Sequence, residues 1–297
     1  MSRRSSRLSW PVVLIGLAVI GCRQWQQSQT PPKPTTKTTK RPPRSDGSSP
    51  VSSSGLRSNE GFLLLGNPSN AGKAADNFLL EHPQYALSYN RARGGPNWVS
   101  WHTDASDLGQ IERGKFRPDP ELPASWRITP TDYKGSGFDR GHVCPSGDRT
   151  ASREANDATF YMSNMLPQTA ALNQHVWADL ENYLRDQIRA GNEIYQVAGG
   201  AGSAGSIAGG EVTVPQVCWK VAVILPEGDG DLRRIGPRTR VLAVGMPNVE
   251  DSRLQNGDWR SYLTTTDKIE AATSLDLLSA LPDAVEKALE QKKDAGS

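Results

Sequence analysis

Apolar positions recur every three or four residues beyond Leu172. Leu172, Val176, Leu180, Leu184 and Ile188 make one stripe, which predicts an amphipathic helix with that side buried. Next to the stripe, Asn173, Trp177, Glu181 and Arg185 are spaced by four. On a continuous helix each step of four drifts by only about 40°, so an amide, a carboxylate and a guanidinium share one ridge.

Elsewhere the pattern shortens to strand length. Tyr85–Tyr89 and Asn97–His102 read as strands joined through a Gly94-Gly95-Pro96 turn, a hairpin. Glu193–Ala198, Val217–Leu225 and Arg240–Val244 read as buried strands, and Trp259–Thr265 as a weaker one. Near the C-terminus, Asp267–Thr273 behind a Thr266 cap, Leu275–Leu281 and Asp283–Lys292 read as short helices. The predicted class is α+β, an antiparallel sheet core with helices packed on it.

Two polar segments carry less information. Glu112–Asp119 reads as a loop whose basic residues could face phosphate. Gly199–Gly210 is Gly, Ala and Ser with one Ile; without a Gly-Lys-Ser/Thr ending it reads as a strand connection, not a phosphate cradle.

The first 60 residues differ in kind. Arg3, Arg4 and Arg7 precede an apolar run from Trp10 to Gly21, within the signal-peptide range and short of the roughly 20 residues that span a bilayer. The run ends Val19-Ile20-Gly21-Cys22, which resembles a bacterial lipobox. Residues 1–22 are therefore expected to be a lipoprotein-type signal, with a membrane lipid anchor on Cys22; an ordinary cleaved signal is the alternative. Residues 23–60 are rich in Pro, Ser, Thr and basic residues and bury too little to offset ordering entropy. They read as a disordered basic tether, a solvated spacer before a domain at 61–297. The chain is expected to be exported, either anchored at the membrane or secreted.

Charge sharpens this division. The net charge of +2 hides ten basic and two acidic residues in 1–60, against 24 basic and 30 acidic in 61–297. A mildly acidic body does not suit a protein that coats nucleic acid, but it suits one that holds a polyanion at a local basic site. With Cys22 assigned to the signal, Cys144 and Cys218 are an even pair in an exported chain, either a disulfide or two free thiols.

Phe138 to Arg185 concentrates the chemistry. Cleaving a phosphodiester requires a base for water, neutralised phosphoryl charge, a stabilised leaving oxygen and an aligned substrate. His142 can serve as base near neutral pH. Arg140, two residues earlier, falls on the same strand face, and Gly141 between them permits close approach. Asn173 offers a hard oxygen of the kind that holds hydrated Mg²⁺. The four His are far apart and no Cys-x-x-Cys occurs, so the sequence holds no His/Cys cluster with zinc spacing. His102 reads as structural.

Asp139-Arg140-Gly141-His142, then Asn164-Met165-Leu166-Pro167-Gln168, Leu172-Asn173-Gln174, Trp177 and Leu180-Glu181, resembles the DNA/RNA non-specific endonucleases, related to mitochondrial endonuclease G. Trp98-Val99-Ser100-Trp101, Phe116-Arg117-Pro118-Asp119 and Val214-Pro215 … Trp219-Lys220-Val221 extend the likeness to the exported, sugar-non-specific bacterial type. The resemblance implies a ββα-metal finger on the sheet and hydrolysis of DNA and RNA to 5′-phosphate products. It implies His142 as general base and Asn173 as the direct ligand of Mg²⁺ or Mn²⁺. Glu181 would act on that ion through water, with Arg140, Arg185 and Arg113 on phosphate. The loop after Arg113 is shorter by a residue than the pattern. His175 is expected to be a surface or supporting group, not a second metal ligand. A dedicated protein inhibitor is a further expected partner. Two rival readings are a non-catalytic polyanion-binding lipoprotein and a thiol hydrolase built on Cys144 and His142.

Overall fold

The computed structural model of the chain describes residues 61–296. The expectations for 1–60 (signal, Cys22 anchor and tether) lie outside the described residues.

Seven antiparallel strands form the main sheet in the order β1 (Lys73–Ala74), β2 (Asn77–His82), β3 (Tyr85–Asn90), β4 (Gly95–Thr103), β7 (Asn192–Ala201), β10 (Val217–Pro226) and β11 (Arg240–Pro247). Two further strands, β5 (Asp139–His142) and β6 (Met165–Gln168), pair antiparallel with Arg140 opposite Pro167 and His142 opposite Met165. A small hairpin, β8 (Ser206–Ile207) and β9 (Val212–Thr213), lies within the Gly-rich connection. Gly199 and Gly200, read as part of that connection, instead finish β7. A Cβ at Gly199 would fall 2.5 Å from the Asn97 carbonyl and 2.9 Å from Trp219, so these glycines let neighbouring chain and indole close in.

The helices are α1 (Arg153–Ala158), α2 (Trp177–Arg189), α3 (Asp231–Arg234), α4 (Ser252–Gln255), α5 (Thr266–Thr273) and α6 (Asp283–Glu290). Thr265, not Thr266, caps α5 by accepting from the Lys268 amide. Leu275–Leu281 is not helical: Leu277, Leu278 and Leu281 are buried as irregular chain behind Ser274, whose positive φ ends α5. Trp259–Tyr262 is a 3₁₀ turn capped by Asp258, and only Leu263 makes a bridge, to Val244. Its aromatics match a strand in composition, but the Asp258 cap begins a turn there.

Register places Leu87, Val99, Ala198, Lys220 and Val244 side by side on one face of the sheet. Two apolar clusters sit on that face. One joins Leu180, Leu184 and Ile188 of α2 to Cys218, Ala222 and Leu242. The other joins Val143, Cys144 and Leu166 to Leu87, Val99 and Trp101. The finger of β5, β6 and α2 therefore covers the face, strands over one half and helix over the other. Each buried Leu or Ile of the α2 stripe contributes about 1.5–3 kcal/mol, enough to hold the helix at this angle.

Cys144 and Cys218 are free. Each is packed in its own cluster, so the expected disulfide does not form.

Candidate active site

The segment Gly114–Asp119 is pinned before it reaches the finger. Asp119 accepts from Ser163 and pairs with His82 Nε2 at 2.9 Å, and Arg117 exchanges backbone hydrogen bonds with Phe160 and Met162. These ties set Phe116 and Phe160 around the imidazole of His142, with ring centroids 5.5 and 4.7 Å away. His142 is only 8% exposed. Its Nε2 is buried with no hydrogen-bond partner among the described residues, which leaves Nδ1 as the nitrogen that water can reach. Burial in this aromatic cage, aided by the field of Arg113, lowers the His142 pKa to about 3. The ring is therefore neutral at pH 7, as a proton acceptor must be.

Two arginines use the outer faces of the same cage. Arg140 lies over Phe116 at 5.1 Å and donates from Nη2 to the Pro130 carbonyl, while its Nε is buried without a partner. Arg113 is exposed and lies over Phe160 at 5.6 Å. Both guanidiniums sit one ring away from the imidazole, each held by cation–π contact.

The helix does not begin as the spacing of four predicts. Leu172–Val176 is a π-turn, in which the Trp177 amide bonds back five residues to the Leu172 carbonyl. The wider turn takes Asn173 off the ridge that Glu181 and Arg185 share on α2. Asp139 then fixes it: Oδ2 accepts from Asn173 Nδ2 at 2.9 Å and from Gln174 Nε2 at 2.8 Å. With its nitrogen committed to Asp139, the amide has Oδ1 left as a ligand atom. One hard oxygen with room for waters fits a hydrated Mg²⁺ or Mn²⁺. His175, two residues on, is exposed.

Glu181 and Arg185 enter a buried polar seam between the two apolar clusters. Arg185 Nη1 donates to Asp148 Oδ1 at 2.9 Å, and Trp101 Nε1 and Gln196 Nε2 donate to the other oxygen. Gly147 leaves room for this guanidinium, because a Cβ there would lie 2.8 Å from Arg185 Nη1 and push it aside. Glu181 faces Lys220 Nζ at 3.8 Å. Lys220 is fully buried between the indoles of Trp101 and Trp177, at 4.9 and 5.0 Å, and its Nζ makes no hydrogen bond. Burial pushes the Glu181 carboxyl above its ordinary range, against the pull of Lys220 and Arg185. Burial likewise lowers Lys220, opposed by Glu181 and Asp148.

Arg140, His142 and Arg113 thus meet through shared rings, Asn173 joins β5 through Asp139, and Glu181 and Arg185 join through the seam. Three positions in this machinery were not assigned roles from the sequence. Asp139 stood inside the motif. Lys220 could have been suspected as the one charge within the apolar run Val217–Leu225. Asp148 gave no local signal. Cys144 is ruled out as a nucleophile: it is fully buried, and burial drives its thiol pKa far up.

Antiparallel strands carrying Arg-Gly-His, closed over a sheet by a helix whose first turn presents an asparagine, form the ββα-metal nuclease arrangement. A family model described as DNA/RNA non-specific endonuclease matches residues 66–284, and the chain belongs to that family. A nuclease of Nostoc sp. is 47% identical over 237 residues, covering 78% of this chain and 85% of the relative. Nuclease C1 of Cunninghamella echinulata is 34% identical over 246 residues, covering 76% and 95%. In fold, the chain matches one in the crystal structure of the EndoG/EndoGI complex, with TM-score 0.65, 24% identity, and coverage of 78% of this chain and 95% of that one. The chain is accordingly a nuclease acting on nucleic acid.

Proposed function

We propose that this nuclease hydrolyses phosphodiesters within DNA and RNA without sequence preference, leaving 5′-phosphates. The observation that carries the reading is the Asp139–Asn173 hydrogen bond, which ties the amide, its oxygen left over, to the strand bearing Arg140 and His142. A Mg²⁺ or Mn²⁺ on Asn173 Oδ1, with Glu181 acting through water, would supply positive charge to the scissile phosphate and the leaving 3′-oxygen. His142 Nδ1 takes the proton of the attacking water as the new P–O bond forms and the P–O3′ bond breaks. An anionic phosphate next to the ring favours its protonated form, raising its basicity from the low value of the free site. Arg140, Arg185 and Arg113 balance charge on the phosphate. None of these groups reads a base, which fits low specificity.

The lipobox-like end of the apolar run supports export with a lipid on Cys22, and the match to an EndoG chain solved in complex with EndoGI supports a dedicated protein inhibitor as a partner.

The test is cleavage of plasmid DNA and of RNA across a metal series, with His142→Ala as control. Activity should require a divalent ion, survive a thiol alkylator and fall about 10²–10⁴-fold in the variant. Activity undiminished by a chelator, or within tenfold of normal in His142→Ala, overturns the reading. Metal-loaded protein that binds nucleic acid but leaves it intact would favour a polyanion-binding role.

A further inference from the structure

At the far end of β4, beyond the finger, lies a second group of polar side chains with no role in the chemistry above. His102 is 2% exposed, and its Nε2 pairs with Glu193 Oε2 at 3.0 Å. The other ring nitrogen, Nδ1, is buried and has no hydrogen-bond partner among the described residues. A ligand atom of His102 and one oxygen each of Asp104 and Asp107 lie within 4.8 Å of one another.

A neutral imidazole that donates one N–H to a carboxylate presents a lone pair on its other nitrogen. This carboxylate–histidine pairing is how metal-bound histidines are usually oriented. Here Glu193 is the orienting carboxylate and Nδ1 is the nitrogen left over. The two aspartates are also held in advance. Asp104 Oδ1 accepts from the Ser106 amide at 2.7 Å, and Asp107 Oδ2 accepts from the Asp104 amide at 3.2 Å. Arg149 Nη1 stands 3.3 Å from Asp107 Oδ2, but that guanidinium also donates to the carbonyls of Gln84, His102 and Asp148.

We propose that His102 Nδ1, Asp104 and Asp107 bind a divalent transition-metal ion of the Zn²⁺ or Mn²⁺ type, at a structural site separate from Asn173. One nitrogen and two carboxylate oxygens, completed by water through the part-exposed Asp107, suit such an ion better than Mg²⁺ or Ca²⁺. The ion would brace the machinery from behind. The Asp107 carbonyl accepts from the Thr150 and Ala151 amides, on the segment whose Asp148 seats Arg185, and the chain beyond Asp107 leads to Arg113.

The experiment uses the full chain carrying Asn173→Ala, so that the amide site is blank. Equilibrium dialysis with Zn²⁺ should still find one tight equivalent. At about 100 times Kd the melting temperature should rise by about 5–10 °C. Adding Asp107→Asn should remove both effects. If that variant does not fold, Asp104→Asn serves in its place. Independently, Mn²⁺ bound to Asn173→Ala should show electron spin echo modulation from one imidazole nitrogen. Less than one equivalent of metal, retention in Asp107→Asn, or bound Mn²⁺ without nitrogen coupling would each overturn the site.

Discussion

Replacing Lys220 by methionine tests the buried seam. The substitution keeps an unbranched chain between Trp101 and Trp177 and removes only the charge. At 3.8 Å and an effective dielectric near 20, the attraction between Lys220 and Glu181 is about 4 kcal/mol. Burying each charge costs several kcal/mol, so the intact pair is close to neutral for stability. Removing one member is different, because it leaves an uncompensated carboxylate whose burial costs about 3–5 kcal/mol unless it takes up a proton. Arg185 and Asp148, of opposite sign, pull the Glu181 carboxyl in opposite directions, and Lys220 is the largest of the charges that lower it. Lys220→Met should therefore push the Glu181 carboxyl further up than burial already does. A neutral Glu181 is a poor partner for metal-bound water, and cleavage at neutral pH should fall about 10–100-fold. Because the active form is the carboxylate, the variant's rate should recover as pH rises. A carboxyl with a raised folded pKa favours the fold while protonated. That contribution is complete below the unfolded value near 4.5 and is lost as pH rises through the folded one, so the variant should melt earlier at alkaline pH than at pH 5. The assays are rate against pH with saturating Mn²⁺, and thermal melting at the same pH values. Adding Glu181→Gln should restore stability but not rate. A wild-type rate and flat pH response in Lys220→Met would refute the idea that Lys220 keeps Glu181 charged.

Three further outcomes are expected. In metal-free protein His142 should stay neutral down to about pH 3, so stability it confers is complete above pH 6.5 and is lost as pH falls from there toward 3. NMR of the ring protons with urea melts across this window checks it, and an imidazole titrating near 6.5 contradicts the burial argument. Gly141→Ala would put a methyl 1.9 Å from Oε1 and 2.6 Å from Cγ of the buried Gln168 and force that side chain to move; a loss of about 1–3 kcal/mol and a rate deficit larger than the stability loss explains are expected in urea melts and cleavage assays. Removing residues 1–60 should leave the rate on short oligonucleotides within about threefold, and a collapse in soluble, folded truncated protein would show that this segment belongs to the site.

Residues that act through their own type and spacing could be read from the sequence. The stripe from Leu172 to Ile188 defined the buried side of α2, because a helix must bury a continuous apolar face. The apolar runs at 193–198, 217–225 and 240–244 gave the sheet centre for the same reason. Arg140, His142, Asn173, Glu181 and Arg185 stood out because their chemistry is local to each side chain, although their roles rest on the proposal above. Short elements were less legible. Trp259–Thr265 has strand composition but turn capping, and Leu275–Leu281 has helix composition but packs as irregular chain. In both, a few tenths of a kcal/mol of propensity yields to one cap or one buried surface. The π-turn, the Asp139–Asn173 bond, the cage of Phe116 and Phe160, and the seam of Asp148 and Lys220 all came from tertiary structure. Their partners lie far apart in the chain, as Trp101 and Lys220 do, and no local pattern encodes which side chains will share a space. The sequence determined which reactive groups this protein owns and which faces it must bury. The tertiary structure decided their charge states and partners: a neutral imidazole, an amide tied to Asp139 and a carboxylate set against a buried lysine. Those depend on desolvation and on distance, and both exist only once the finger has closed over the sheet.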